Sequence, residues 1–318
     1  MKILFIGLGS IGQRHLRNLM QIGFFEFYAL RKRNHPLPEE FSCIDIKVIN
    51  EINEIAEIKP NLCIIAAPPS FQQEVLPVVV NNGINFFIEK PIGVDITSLE
   101  KLTPIINQKN IISMVGFNLR FHPLFFKLKD IINSGILGNI VSIRAIVGQY
   151  LPDWHPLEDY TKGYSANKHL GGGAVLDLIH ELDFVYGLMG PVKEVKAFTA
   201  QNSNLKIDVE DVAEIILRFK SGVLGSVHMD YVHRNGIREG LIIGDMGSVS
   251  YDLIKSEIIF TDKDGKIEKI CYDFTRNDMY INELKKLLEC IEKKQNPENN
   301  YESGIEVLKY ASTALYNN

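Results

Sequence analysis

Along the first 120 positions, short unbroken apolar runs alternate with stretches whose apolar residues recur at helical spacing, a pattern that predicts parallel strands joined by helices. Strands are expected at 2–6, 25–30, 62–66, 85–88 and 111–115, and helices at 11–22, 71–82 and 96–108, the last capped by Asp95. The first helix carries its apolar stripe at Ile11, Leu16, Leu19, Met20 and Ile22. Beyond Pro123 the texture changes. A helix at 124–134 precedes a strand at 140–148, a long polar and aromatic loop, and a helix led by glycines from Gly173. Strands then follow in series at 194–200, 213–219, 225–231, 239–243, 248–253 and 257–261, and short turns between them imply an antiparallel sheet. Their apolar residues fall on both parities, which places helices on one face and a second subunit on the other. Helices at 280–292 and 303–316 flank a polar connection at 293–300. The fold class is therefore α/β: a doubly wound parallel sheet in residues 1–120 and a second α/β domain with a mostly antiparallel sheet in 121–318.

The run Ile3-Leu4-Phe5-Ile6 leads directly into Gly7-Leu8-Gly9-Ser10-Ile11-Gly12. A strand feeding this glycine spacing and then a helix is the pattern of a Rossmann dinucleotide site. Gly7 permits the tight turn, Gly9 lets the backbone approach a pyrophosphate at Ser10 and Ile11, and Gly12 lets helix and strand pack closely. NAD sites of this kind place an acid about 20 residues later, at the end of the second strand, to bind the ribose 2′-hydroxyl. Here that position reads Arg31-Lys32-Arg33, with no acid between Glu26 and Glu39. Guanidinium groups suit a 2′-phosphate, so NADP(H) is favoured and NAD(H) is the alternative.

Composition narrows the partners. The 318 residues are 46% hydrophobic and 23% charged with a net charge of −5, which provides no basic face for nucleic acid or an anionic membrane. Apolar runs fall short of the roughly 20 residues that span a bilayer, and the N-terminus lacks a cleavage-type region. Cys43, Cys63, Cys271 and Cys290 are scattered, with neither a C-x-x-C pair nor a neighbouring histidine. They read as reduced thiols of a cytoplasmic protein with no metal site and a small-molecule partner.

Two stretches carry the chemistry. The strand at 85–88 ends in Glu89-Lys90-Pro91, and ligands of open parallel sheets bind beyond the carboxyl ends of strands. Lys90 there polarises a substrate oxygen and Glu89 orients it. The second stretch is Gly171-Gly172-Gly173 followed by Asp177 and His180. Its glycines allow close approach to a ligand, its histidine suits proton exchange near neutral pH, and Asp177 binds a hydroxyl or tunes the histidine. On a continuous helix His180 lies about 60° from Asp177 and the competing Glu181 about 40° on the other side.

These motifs, with Asn118-x-Arg120-Phe121-His122-Pro123 between them, resemble in order the glucose-fructose oxidoreductase/inositol dehydrogenase/MocA family over nearly the whole chain. The resemblance implies an N-terminal Rossmann domain, a C-terminal domain with a large open antiparallel sheet, and a homodimer or homotetramer built on that sheet. It also implies NAD(P)-dependent interconversion of a hydroxyl and a ketone on a sugar, cyclitol or sugar derivative. By position Lys90 matches the active-site lysine, Asp177 the substrate-binding acid and His180 the proton carrier. The same resemblance assigns cofactor contacts to Ala67, Pro68, Ser70, Glu89, Lys90 and Asn118, although Gln72 stands where relatives often have histidine.

The loop from Gly148 through Trp154, His155, Tyr160, Tyr164 and Lys168 brings sugar-stacking aromatics together with hydroxyl-binding groups. It resembles members of bacterial surface-sugar and nonulosonic acid pathways. Arg120 and Lys168 suit a substrate carboxylate or phosphate. Two other readings stay open: a redox-neutral epimerase or glycosidase with a tightly held cofactor, and a non-catalytic cofactor sensor.

Overall fold

The apolar run after Met1 forms β1 (Lys2–Ile6), whose Ile3, Leu4, Phe5 and Ile6 are all fully buried. In the computed structural model, which describes residues 1–31, 37–154 and 159–316, the chain continues through α1 (Ser10–Ile22), β2 (Glu26–Leu30), β3 (Ile46–Ile49) and α2 (Ile55–Ile58). Next come β4 (Leu62–Ile65), α3 (Pro69–Asn81), β5 (Asn85–Ile88), α4 (Ile96–Glu100), α5 (Thr103–Gln108) and β6 (Ser113–Val115). All strand pairs in this sheet are parallel, in the order β3-β2-β1-β4-β5-β6, as the alternation predicts. The order reverses beside β1, between β2 and β4.

Two details depart from the expectation. β3 has no apolar run, because Lys47 and Val48 face solvent at the sheet's edge. The helix expected at 96–108 is two helices, since Pro104 in the first turn of α5 has no N–H to continue the ladder. Asp95 does cap α4, accepting from Thr97 N at 3.0 Å.

The chain divides into two units, one comprising Met1–Phe117 with Tyr280–Glu306, the other Asn118–Met279 with Val307–Asn318. The expected boundary at 120/121 assigned all the later residues to the second domain, whereas Tyr280–Glu306 packs with the first. The reason lies in β6, an edge strand whose polar backbone is satisfied by that returning segment. Val115 N donates to Asn299 O at 2.8 Å, Asn299 Nδ2 donates to Val115 O at 2.9 Å, and Ser113 N donates to Asn296 Oδ1 at 3.0 Å.

The second unit contains α6 (Pro123–Asn133), β7 (Ile140–Gly148), α7 (Ala174–Asp177), α8 (His180–Met189), β8 (Val192–Ala200), β9 (Val212–Phe219) and β10 (Leu224–Asp230). It goes on through β11 (Ile237–Gly244), β12 (Gly247–Asp252), β13 (Glu257–Asp262) and β14 (Ile267–Cys271), a charged edge strand that the apolar pattern did not reveal. Helices α9 (Arg276–Lys293) and α10 (Tyr301–Tyr316) follow. The sheet order is β14-β13-β12-β11-β7-β10-β9-β8, antiparallel throughout except where β7 meets β10. On one face Ala213, Ile215, Leu217, Val227 and Met229 are buried, with α7 and α8 packed over that part of the sheet. The other face carries the exposed Phe198, Ile216 and Leu224.

On that second face His228 lies between two carboxylates, with Nδ1 2.6 Å from Glu214 and Nε2 3.1 Å from Asp230. The hydrogen bond to Asp230, opposed by burial and aided by Glu214, raises His228 from 6.5 to about 9. A histidine raised on folding contributes stability that is complete below its unfolded value and lost as pH climbs through the folded one. The unfolding free energy of the wild type relative to His228→Gln is therefore expected to fall between pH 6.5 and about 9 in urea titrations, and to level off above that.

Candidate active site

The first unit builds a cradle at the end of β1. Gly7 has φ +95°, and a Cβ on it would lie 2.5 Å from Ala66 O; one on Gly12 would lie 2.3 Å from Gly7 O. Neither position admits a side chain. Gly9 has nothing within 4 Å of its Cβ position, so that side of the turn is open. No side chain caps α1, which leaves the N–H groups of its first turn, from Ser10, Ile11 and Gly12, directed at that space. Gln13 Nε2 braces the turn on Leu8 O at 3.0 Å. This open glycine, close packing on either side and an uncapped helix start fit a dinucleotide pyrophosphate.

The neighbouring strand ends complete the rim. Ala67 and Pro68 lead into α3, with Ser70 exposed in its first turn. Buried Gln72 donates from Nε2 to Ala67 O at 2.8 Å, so the departure noted at this position supports the loop from within. Arg31 follows β2 with its N–H bonded to Ile49 O at 3.0 Å. Lys32 and Arg33 lie outside the described residues. Glu89 and Lys90 are half-buried at the end of β5, before a cis Lys90-Pro91 peptide. A residue that sequence reasoning missed joins them: buried His15 on α1 places Nε2 2.7 Å from Glu89 Oε1.

In the second unit Asp177 is the centre of a hydrogen-bonded cluster. It is 3% exposed and accepts the Tyr164 hydroxyl on Oδ1 and the Tyr231 hydroxyl on Oδ2, the latter at 2.9 Å. Burial, reinforced by the Asp177 charge, holds the Tyr231 phenol well above its ordinary value, so it stays a donor. Trp154 stands edge-on to Tyr231, with ring centroids 5.4 Å apart. Three of the expected substrate contacts are thus brought together with a tyrosine not foreseen. The only signal for Tyr231 was its place just beyond the alternating strand β10. Lys168 is exposed, with its backbone N–H on Asp208, and His155 lies outside the described residues.

Three expectations are corrected here. Asp177 and His180 do not share a continuous helix: Asp177 ends α7, Leu178 breaks the ladder at φ −95°, ψ 21°, and His180 starts α8. The angular comparison with Glu181 no longer applies, and the two side chains differ in burial. Glu181 is 2% exposed and bound to Arg238 Nε at 2.7 Å, whereas His180 is half-buried. Next, the glycines admit the protein's own groups. A Cβ on Gly172 would lie 2.2 Å from Tyr164 O, and one on Gly173 would lie 2.3 Å from Glu210 Oε1. That same carboxylate oxygen accepts Val175 N at 3.0 Å, and burial pushes Glu210 above its ordinary range.

The third correction concerns Arg120. Its guanidinium is bound to fully buried Asp183 through Nε and Nη2, at 2.6–3.0 Å, and lies 5.6 Å from the Tyr186 ring. Being 6% exposed, it holds α8 in place and does not present itself to a substrate anion. Its neighbour His122 caps α6 by accepting Leu124 N on Nδ1 at 3.1 Å and donates from Nε2 to Leu253 O at 3.2 Å. Burial lowers His122 to about 4, which keeps it neutral for both bonds. Asn118, at the start of the same motif, is buried.

Two family models match the chain. Residues 1–117 match "Oxidoreductase family, NAD-binding Rossmann fold" and residues 125–250 match "GFO/IDH/MocA C-terminal domain". The chain is similar to the myo-inositol 2-dehydrogenase of Thermotoga maritima, at 27% identity over 96% of this chain and 92% of that one. It is similar to the levoglucosan dehydrogenase of Pseudarthrobacter phenanthrenivorans at 26% identity, over 51% and 47% of the two chains. A solved levoglucosan dehydrogenase in complex with NADH shares the fold, with a TM-score of 0.89 and 18% identity over 100% of this chain and 96% of that chain.

The Asp177 cluster predicts a stability signature. Tyr231→Phe removes a hydroxyl from a buried carboxylate and is expected to cost about 1–3 kcal/mol in urea unfolding. Tyr164→Phe, at a residue 39% exposed, is expected to cost less, because water replaces the lost donor.

Proposed function

The chain belongs to the GFO/IDH/MocA oxidoreductase family, whose N-terminal domain is an NAD-binding Rossmann fold, and from that membership we propose a specific reaction class. The protein interconverts a hydroxyl and a ketone on a sugar, sugar acid or sugar nucleotide. The observation that carries this reading is the Asp177 carboxylate, buried yet gripped by two tyrosine hydroxyls, just ahead of half-buried His180. A carboxylate offers about four acceptor directions. Tyr164 and Tyr231 donate to Asp177, and in this reading a substrate hydroxyl donates to it as well. The named activities of the inositol and levoglucosan dehydrogenases, both on cyclic polyhydroxy compounds, support the same substrate class.

When bound, the nicotinamide supplies the hydride acceptor or donor. The protein supplies the rest. The Lys90 ammonium donates to the reacting oxygen and favours its alkoxide character, and His180 takes or returns the hydroxyl proton. Glu181 is tied to Arg238, which supports His180 as the proton carrier. Asp177 orients the substrate, and Trp154 and Tyr164 contribute aromatic surface to its ring.

For the cofactor, the absence of an acid between Glu26 and Glu39, together with Arg31 just after β2, favours NADP(H) over NAD(H). The exposed Phe198, Ile216 and Leu224 support pairing of two copies through the open sheet face. Four cysteines without disulfides suit the reducing cytoplasm.

Titration with NADPH and NADH, followed by a panel of sugars, sugar acids and nucleotide sugars, tests the reading; tighter NADH binding overturns the cofactor preference. With the substrate so identified, Lys90→Ala and His180→Ala are each expected to lower kcat by about 10²–10⁴-fold. His180→Ala should bind the cofactor as the wild type does. Wild-type turnover in both variants would remove the proposed roles.

A further inference from the structure

Position 15 lies on α1, three residues beyond Gly12, on the face turned toward the sheet. That face also buries Leu16, Leu19 and Asn18, and the histidine is fully buried. The imidazole stands edge-on to Phe87, at 4.8 Å between centroids, and to Tyr280, at 6.0 Å. Its Nδ1 has no hydrogen-bond partner among the described residues. A leucine would fill the space between these rings without stranding a ring nitrogen, so packing does not account for an imidazole. What the imidazole adds is the 2.7 Å bond from Nε2 to Glu89 Oε1. A carboxylate only accepts, so Nε2 carries the proton.

Glu89 is the first residue beyond β5 and is held at several points. Its N–H donates to Ile65 O at 2.9 Å, and its Oε2 lies over Gly116, where a Cβ would approach to 2.8 Å. Its side chain is 13% exposed. The bond to His15 adds a tie of a different kind, because it joins the corner at Glu89-Lys90-Pro91 to the helix whose first turn faces the open space over Gly9. That helix and that corner meet through this side-chain pair.

We propose that His15 is a positioning residue: through Glu89 it couples the seating of the dinucleotide at the start of α1 to the placement of Lys90. The inference rests on the oxidoreductase reading above, and it concerns residues of the first unit alone. It requires that the cofactor change the surroundings of Lys90, and that this change depend on the His15–Glu89 bond.

The test is reductive methylation of Lys90 in the full chain, followed by peptide mass spectrometry, with and without saturating NADH or NADPH, after binding of each has been measured by calorimetry. In the wild type the bound dinucleotide is expected to change the Lys90 labelling rate by roughly tenfold, within the usual range of coupling between sites. In His15→Leu and in Glu89→Leu, each saturated with cofactor, the factor is expected to shrink to about two or less. The double variant should lose no more than either single variant, because both act through one bond. His15→Gln, whose amide donates to Glu89, should recover part of the effect. Wild-type coupling in His15→Leu, or losses that add in the double variant, overturns the proposal. If His15→Leu does not fold, Glu89→Leu, which removes the acceptor, decides: retained coupling there overturns it too. Failure of the wild type to bind either dinucleotide instead overturns the oxidoreductase reading beneath it, and binding without any change at Lys90 overturns the coupling alone.

Discussion

Everything in the first unit depends on a contact that admits no side chain. Where β1 ends, the backbone of Gly7 lies against the carbonyl of Ala66, and Gly12 presses back onto the carbonyl of Gly7. This brings α1 down onto the sheet at the place where strand order reverses between β2 and β4. Reversal opens a crevice beyond the strand ends, since the connections on its two sides run in opposite directions. The bare start of α1, the Ala67-Pro68 rim and the Glu89-Lys90 corner all border that crevice because they follow β1, β4 and β5 respectively. A methyl group at position 7 or 12 would displace the helix and with it the geometry of all three.

The second unit solves a different problem, that of keeping polar groups in a packed interior. α8 buries Glu181 and Asp183, and each meets an arginine, Arg238 and Arg120. Such pairs add little net stability, but leaving one partner alone costs several kcal/mol, so they enforce one position for the helix. Asp177 lies just before α8 and is met by neutral hydroxyls. The arrangement commits Glu181 and Asp183 to structure.

The parallel sheet was legible because its strands are buried on both faces and read as plain apolar runs, and the glycine turn because its spacing reports backbone contacts directly. Edge strands β3 and β14 were not, since their exposed Lys47 and Glu268 resemble loop residues. The errors at the candidate site have a common origin. Arg120, Gly172 and Gly173 are residue types that accommodate ligands, and the same properties let them accommodate Asp183, the Tyr164 carbonyl and the Glu210 carboxylate. Sequence spacing records that a close approach occurs but not what approaches. The break between Asp177 and His180 was hidden for a related reason: neither Leu178 nor Ile179 is a helix breaker by residue type, so no local signal marks the interruption at Leu178.

The return of Tyr280–Glu306 to the first unit sets an order of events during synthesis. A ribosome delivers Met1–Phe117 long before it delivers Asn296 and Asn299, the residues that satisfy the outer edge of β6. Through that interval Ser113 and Val115 present an open strand edge, and Ile92 and Val115 lack the cover that Gly304 later provides. A nascent chain in this state is a template for wrong pairing with other chains. The N-terminal half of the first unit is thus translated first, yet that unit is completed only once Tyr280–Glu306 has emerged, after most of the second unit has been made.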